Sequence, residues 1–278
     1  MDYQFVRPSP ALRPFVEEYI LLTPSLSQTK PEQIPPGGKT GLCLNLGADF
    51  RADLAGVSQL LPAVAVGGQL TQLLKLSKPA DGQILLINFQ PTGLHRLFGW
   101  PMAELTNLLT PMTDLVATRT SQSWYSLVNQ LRDTAGTLER IQRVETHLLA
   151  CVNRVSLSPK TWVEGAATWL AQPGDRRIQQ LLTEVRVSPR HLTRVFGQQV
   201  GLTPKYYAQV MRFRNVFRVV TNPNCPTWQD LVYAGGWYDQ AHFCNDLYRM
   251  TGQTPTAFFT QHHAIAEMMI NRSPELIH

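Results

Sequence analysis

Two stretches of this chain, SPRHLTRVFGQQVGLTP at residues 188–204 and GGWYDQAHFCNDLYRMTGQTP at residues 235–255, close on the same Gly-x-Thr-Pro stop. Each holds a short helix with an apolar stripe on one side and Arg, Gln, Thr or Asn on the other. A repeated unit of this kind has few foldable forms. It predicts an all-α C-terminal third with two helix-turn-helix units, the arrangement of a DNA reader with two recognition helices.

In the first unit Asp175 is the expected N-cap of a helix striped by Ile178, Leu181, Leu182 and Val185. Arg186 and Val187 make the turn, Ser188 caps the next helix, and Pro189 takes its first position, where no intrahelical N–H bond is lost. Leu192, Val195 and Phe196 then face inward, and Arg190, Thr193, Arg194 and Gly197 face out. Arginine matches the major-groove edge of guanine through two parallel hydrogen bonds, worth about 1–3 kcal/mol of discrimination. For an arbitrary helix Arg190 and Arg194 would be solvated surface charges; the helix-turn-helix context and the local charge reverse that preference.

Thr203 and Pro204 open a bridging helix to Val220, with Tyr206, Val210, Phe213, Phe217 and Val220 as its inner stripe. These residues span about 27 Å at 1.5 Å per residue, and with the flanking helices can hold two recognition helices the roughly 34 Å apart that successive major grooves require. Arg212, Arg214 and Arg218 lie off the stripe, either on phosphate or solvated. In the second unit Thr227 caps a helix with Asp230 three residues on, and Trp228, Leu231 and Val232 form its buried face. Gly235 and Gly236 allow the turn, Trp237 plugs the core, and Asp239 caps the second recognition helix. Phe243 and Leu247 face inward there; Gln240, Ala241, Asn245 and Tyr248 or Arg249 face out. Gln and Asn can bond adenine bidentately.

Charge placement agrees. Residues 174–260 hold ten basic side chains against five acids, whereas the rest of the 278 residues hold fifteen of each, so the entire +5 excess sits where a polyanion would be met. Cys43, Cys151, Cys225 and Cys244 are widely spaced, which indicates reduced thiols rather than a zinc site or disulfide framework. The seven histidines show no ligand spacing, so no metal is expected. His95 and Arg96 beside Gly93 are weighed as an anion site and read as a surface pair. None of G-x-S-x-G, G-x-G-x-x-G or H-E-x-x-H occurs, and neither an enzyme nor a cofactor is expected. No apolar run approaches the length of a membrane span and MDYQFVRPSP lacks a signal-peptide layout, so the expected compartment is the cytoplasm and no membrane partner is foreseen.

Upstream, GLCLNLG, LLPAVAVGG and GQILLINFQP read as strands, while PSPALRPFVEEYILL and GLHRLFGW read as short helices laid on a sheet. Helical periodicity then takes over. Trp124, Leu127, Val128 and Leu131 form one face, and Leu138, Ile141, Glu145, Leu148 and Leu149 a second. These helices serve either as a dimerisation or coupling element or as packing on their own domain. The expected class is α+β: a mostly β sensor-like domain at 1–120, a helical connector at 121–172, the double helix-turn-helix domain at 173–262 and a tail at 263–278, with Pro173 and Gly174 as linker.

Residues 174–260 resemble the DNA-binding domain of the AraC/XylS family of bacterial transcription regulators. The resemblance rests on the two quoted units, on Arg212 in the bridge, and on GGWYDQAHF and TGQTPTAFF. It implies that Arg190, Thr193 and Arg194, with Gln240, Ala241, Asn245 and Arg249, approach base edges or nearby phosphates. The sequence departs from the family where Leu182 and Val232 replace a small Ala, where Arg186 replaces Gly, and where Asn245, Leu247 and Tyr248 replace the usual Arg, Phe and Lys. These changes weaken the second unit's phosphate grip and predict that the first unit dominates affinity. PSPALRPFVEEYI, PPGGKTGLCLNLG and FQPTGLHRLFG resemble a β-rich sensor-type domain found ahead of such units. The implied function is a promoter- or operator-binding activator. Its implied partners are double-stranded DNA, RNA polymerase, a small-molecule effector and a second copy in a homodimer. The alternative is an interaction protein whose altered second unit no longer reads DNA.

Overall fold

The computed structural model describes residues 2–23, 31–77, 79–152, 162–172, 178–220, 232 and 235–259. The long apolar runs dictate the N-terminal architecture. GLCLNLG supplies β4 (Thr40–Asn45), LLPAVAVGG supplies β7 (Val64–Gly67) and GQILLINFQP supplies β9 (Ile84–Phe89). Side chains on both faces of these strands are buried, so the runs are continuous instead of alternating. Around them an antiparallel sheet forms in the order β1-β2-β9-β4-β7-β10, with β1 at Asp2–Val6, β2 at Val16–Thr23 and β10 at Leu109–Pro111. A second antiparallel sheet has the order β3-β8-β5-β6, from Glu32–Ile34, Leu74–Leu76, Arg51–Leu54 and Val57–Leu60. Ile20, Leu22, Cys43, Phe50, Leu74, Leu76 and Ile84 form one buried cluster drawn from both sheets.

The helix expected over PSPALRPFVEEYILL is corrected to a turn followed by strand β2. β2 pairs with β1 and β9 at its edges and its two faces are buried in separate clusters, so a near-continuous apolar run offers helical spacing by coincidence. GLHRLFGW does form a helix, α1 (Gly93–Phe98), ended by Gly99 at φ 73°. A short 3-10 turn (Met102–Leu105) and α2 (Met112–Leu115) follow.

The segment 121–172 is divided between two cores. Helices α3 (Thr118–Arg132) and α4 (Thr137–Val152) bury Trp124, Leu127, Val128, Leu131, Ile141, Val144 and Leu148 in the same cluster as Tyr19, Leu42, Leu44, Leu85 and Ile87 of the large sheet. Leu138, expected on the inner stripe of α4, is exposed, and Arg140 and Val144 take the buried face. Arg140 is satisfied there by the carbonyls of Leu131 and Thr134 at 3.0 and 2.6 Å. Helix α5 (Trp162–Ala171) instead buries Val163, Ala166, Ala167 and Leu170 in the C-terminal core. Pro173 and Gly174 lie outside the described residues.

Candidate nucleic-acid interface

Helix α6 (Ile178–Val185) ends at Arg186, whose φ of 52° makes the left-handed turn that glycine would adopt more cheaply. Ser188 then caps α7 (Pro189–Val200), its hydroxyl accepting the His191 N–H at 3.2 Å. Leu192, Phe196 and Val200 are buried, and Gly201 closes the helix at φ 98° with its N–H on the Gly197 carbonyl at 2.9 Å. Thr203 accepts the Tyr206 N–H at 3.2 Å and starts α8 (Pro204–Val220).

The second unit repeats these devices. Gly236 makes the turn at φ 74°, Asp239 accepts the His242 N–H at 2.7 Å and caps α9 (Gln240–Thr251), and Gly252 at φ 70° closes it on the Tyr248 carbonyl at 2.8 Å. Thr254 then caps α10 (Pro255–Phe259) by accepting the Ala257 N–H at 3.3 Å. The shared Gly-x-Thr-Pro therefore joins a left-handed helix stop to the cap and first residue of the next helix. Asp175, Thr227, Trp228, Asp230 and Leu231 lie outside the described residues; Val232 is buried.

All seven side chains assigned to the reading surface are exposed: Arg190, Thr193 and Arg194 on α7, and Gln240, Ala241, Asn245 and Arg249 on α9. Arg194 Nη2 lies 3.4 Å from His191 Nδ1. Behind α9 the inward Phe243 and Leu247 are joined by Asp246, which the sequence reading missed. Its buried carboxylate accepts the Trp237 indole N–H at 3.0 Å, with His242 Nε2 at 3.5 Å and Arg249 Nη1 at 3.7 Å. The available signal was an acid on the apolar arc of the helix, beside a tryptophan that needs an acceptor.

Two bridge arginines act on protein groups and are not merely solvated. Arg212 donates to the Gly236 carbonyl at 3.1 Å and lies over the Trp237 ring at 5.4 Å, pinning the turn of the second unit. Arg214 lies near enough to Lys39 of the N-terminal region to act on it electrostatically. The inner stripe of α8 runs through Tyr207, Val210, Met211, Phe213 and Val216, while Tyr206 is half-buried and donates its hydroxyl to the Thr71 carbonyl at 3.1 Å. The Phe217, Arg218 and Val220 side chains lie outside the described residues.

The N-terminal region holds both units by their stops. Thr106 donates to the Gly201 carbonyl at 2.6 Å, Gln253 donates to Gln33 Oε1 at 3.0 Å, and Leu73 is buried in the C-terminal core. The surface-pair reading of His95 and Arg96 is corrected: the Arg96 side chain is buried, pairs with Glu164 at 3.2 Å and donates to the Pro14 carbonyl at 2.9 Å, while His95 Nδ1 meets the Trp100 carbonyl at 2.8 Å. Among the described residues no cluster of His, Cys, Asp and Glu could hold a metal ion, and no helix is long and apolar enough to cross a membrane.

Residues 181–261 match the family model described as "Helix-turn-helix domain", and residues 4–111 match "Domain of unknown function (DUF6597)". No curated protein matches in sequence. Among solved structures, an apo variant of ToxT from Vibrio cholerae aligns at 9% identity and TM-score 0.47 over 87% of this chain and 97% of its own. ToxT of the same species with bound unsaturated fatty acid aligns at 8% and 0.43 over 87% and 94%. The AraC-like transcriptional activator CuxR aligns at 13% and 0.26 over 71% and 73%. At these scores the alignments set no residue correspondence. The helix-turn-helix match falls on the duplicated unit itself: the chain carries an AraC-type helix-turn-helix domain at its C-terminus, preceded by a domain of a family without assigned function.

Proposed function

We propose that the chain is a sequence-specific regulator that binds promoter or operator DNA through α7 and α9 and answers a small effector through residues 1–120. The observation that carries this reading is the duplicated unit with seven outward side chains of base-reading or phosphate-binding type, all exposed. The cationic contacts belong to the first helix, through Arg190 and Arg194, and the amide contacts to the second, through Gln240 and Asn245. Arg249 adds phosphate contact, and Thr193 and Ala241 offer small surfaces that fit a thymine methyl. The expected mode is activation in the cytoplasm through RNA polymerase, with a homodimer as the promoter-bound form. No enzymatic step or cofactor is assigned.

The test is fluorescence anisotropy of the full chain on DNA from its own upstream region. Arg194→Ala should raise Kd by about 5- to 150-fold, the equivalent of one lost charge-assisted DNA contact of roughly 1–3 kcal/mol. Asn245→Ala should raise it less. Equal losses, or the reverse order, would overturn the ranking of the two helices.

A further inference from the structure

Between the facing sides of the two N-terminal sheets lies a cavity of ≈ 120 Å³. Leu22, Ile34, Cys43, Leu74, Leu76 and Ile84 give it an apolar wall. A dry apolar cavity of roughly 150 Å³ accommodates benzene, so this space is on the scale of one aromatic ring. The register Gly41↔Asn88 gathers the polar lining residues Lys39, Thr40 and Asn88 at one end.

The charge at that end is already balanced. Lys39 pairs with Glu17 and lies 3.6 Å from Glu18, which also accepts the Asn88 amide at 3.1 Å. A second cation, Arg214 of α8, acts electrostatically on Lys39. Burial pushes the Lys39 pKa down and Arg214 adds to that, while Glu17 and Glu18 oppose it. Two carboxylates and two cations thus share this end, and an ionised ligand would bring a fifth, unmatched charge into a desolvated site.

The same end touches the DNA-binding domain. Pro35, Gly37 and Lys39 line the cavity, and Gly38 between them, at φ +69°, turns its backbone onto α8. A Cβ at Gly38 would stand 1.8 Å from Met211 Cε and 3.5 Å from the Tyr207 ring. Loop 35–39 is therefore cavity wall on one side and bridge contact on the other, and the bridge sets the relation between α7 and α9.

We infer that this cavity is the effector site, that its ligand is an uncharged apolar molecule of about one ring, and that loop 35–39 relays occupancy to α8. The relay rests on the regulator reading above; the site and ligand class do not. The test uses the full chain with toluene and with benzoate, the same ring carrying a charge. Toluene should bind saturably, give intermolecular NOEs to the Ile34 and Leu74 methyl groups, and bind at least tenfold tighter than benzoate. It should also shift the DNA Kd fivefold or more, within the roughly 5- to 150-fold range of allosteric couplings. Met211→Ala, or the milder Met211→Leu, should keep toluene binding and reduce the shift below twofold. Benzoate binding as tightly as toluene overturns the ligand class, and missing NOEs at Ile34 and Leu74 overturn the site. A toluene-independent DNA Kd, or a full shift in both Met211 variants, overturns the relay. Toluene binding by a chain that binds no DNA would support the site while removing the regulator reading and the relay with it.

Discussion

Asp246 offers the sharpest test of how the second unit is built. It lies 4% exposed beneath α9 and accepts the indole N–H of Trp237, itself 5% exposed, at 3.0 Å. A hydrogen bond to a charged group contributes about 1.5–3 kcal/mol, and truncating one partner also strands a buried donor. The neighbouring His242 and Arg249 side chains are 43% and 75% exposed, so solvent screens most of their attraction. Asp246→Ala should therefore destabilise the second unit by about 2–3 kcal/mol, almost all of it through Trp237, whereas Asp246→Asn keeps an acceptor and should cost about 1 kcal/mol. With several buried cores among the described residues, global unfolding mixes their stabilities; hydrogen exchange at the amides of 240–251 isolates the local one. The alanine variant should speed exchange there roughly 30- to 150-fold and the asparagine variant several-fold. Equal rates in the two variants, or acceleration below about twofold in both, would refute the role given to the carboxylate.

Two further outcomes follow from the same geometry. Gly201→Ala places a Cβ at φ +98° and 3.0 Å from the Met102 carbonyl, so it should cost about 1–3 kcal/mol by thermal denaturation and loosen the interdomain contact; an unchanged Tm would contradict the strained stop. Burial pushes the Cys43 thiol up to about 12, so iodoacetamide at pH 8 should leave it unmodified in the folded chain and label it only after urea, as read by peptide mass mapping.

What the sequence revealed divides along the range of the interactions. Ser188, Thr203 and Asp239 were identifiable as caps because a cap bonds to an amide three residues away. The strands β4, β7 and β9 were identifiable because burial on both faces leaves an unbroken apolar run. Strand β6 has all four residues exposed and leaves no such mark. β2 was mistaken for a helix because a run buried on both faces satisfies either periodicity. The roles of Arg212 and Arg214 depend on Gly236 in the other unit and on Lys39 in the other region, contacts that only the tertiary fold creates. The exposure of the seven side chains on α7 and α9 was legible because the phase of a capped helix fixes which positions face out, yet Asp246 was missed because an acid at a buried phase needs a partner from another turn.

The most direct measurement of the central claim is the salt dependence of binding to an upstream DNA fragment. Each phosphate neutralised contributes about −0.9 to the slope of log K against log salt, so contacts through Arg190, Arg194 and Arg249 alone give about −2.7, or roughly 40-fold weaker binding from 50 to 200 mM salt. The account predicts a slope at least that steep, with tighter binding to the upstream fragment than to unrelated DNA of equal length. No association at 50 mM salt by folded protein, or a salt-independent one, would contradict it.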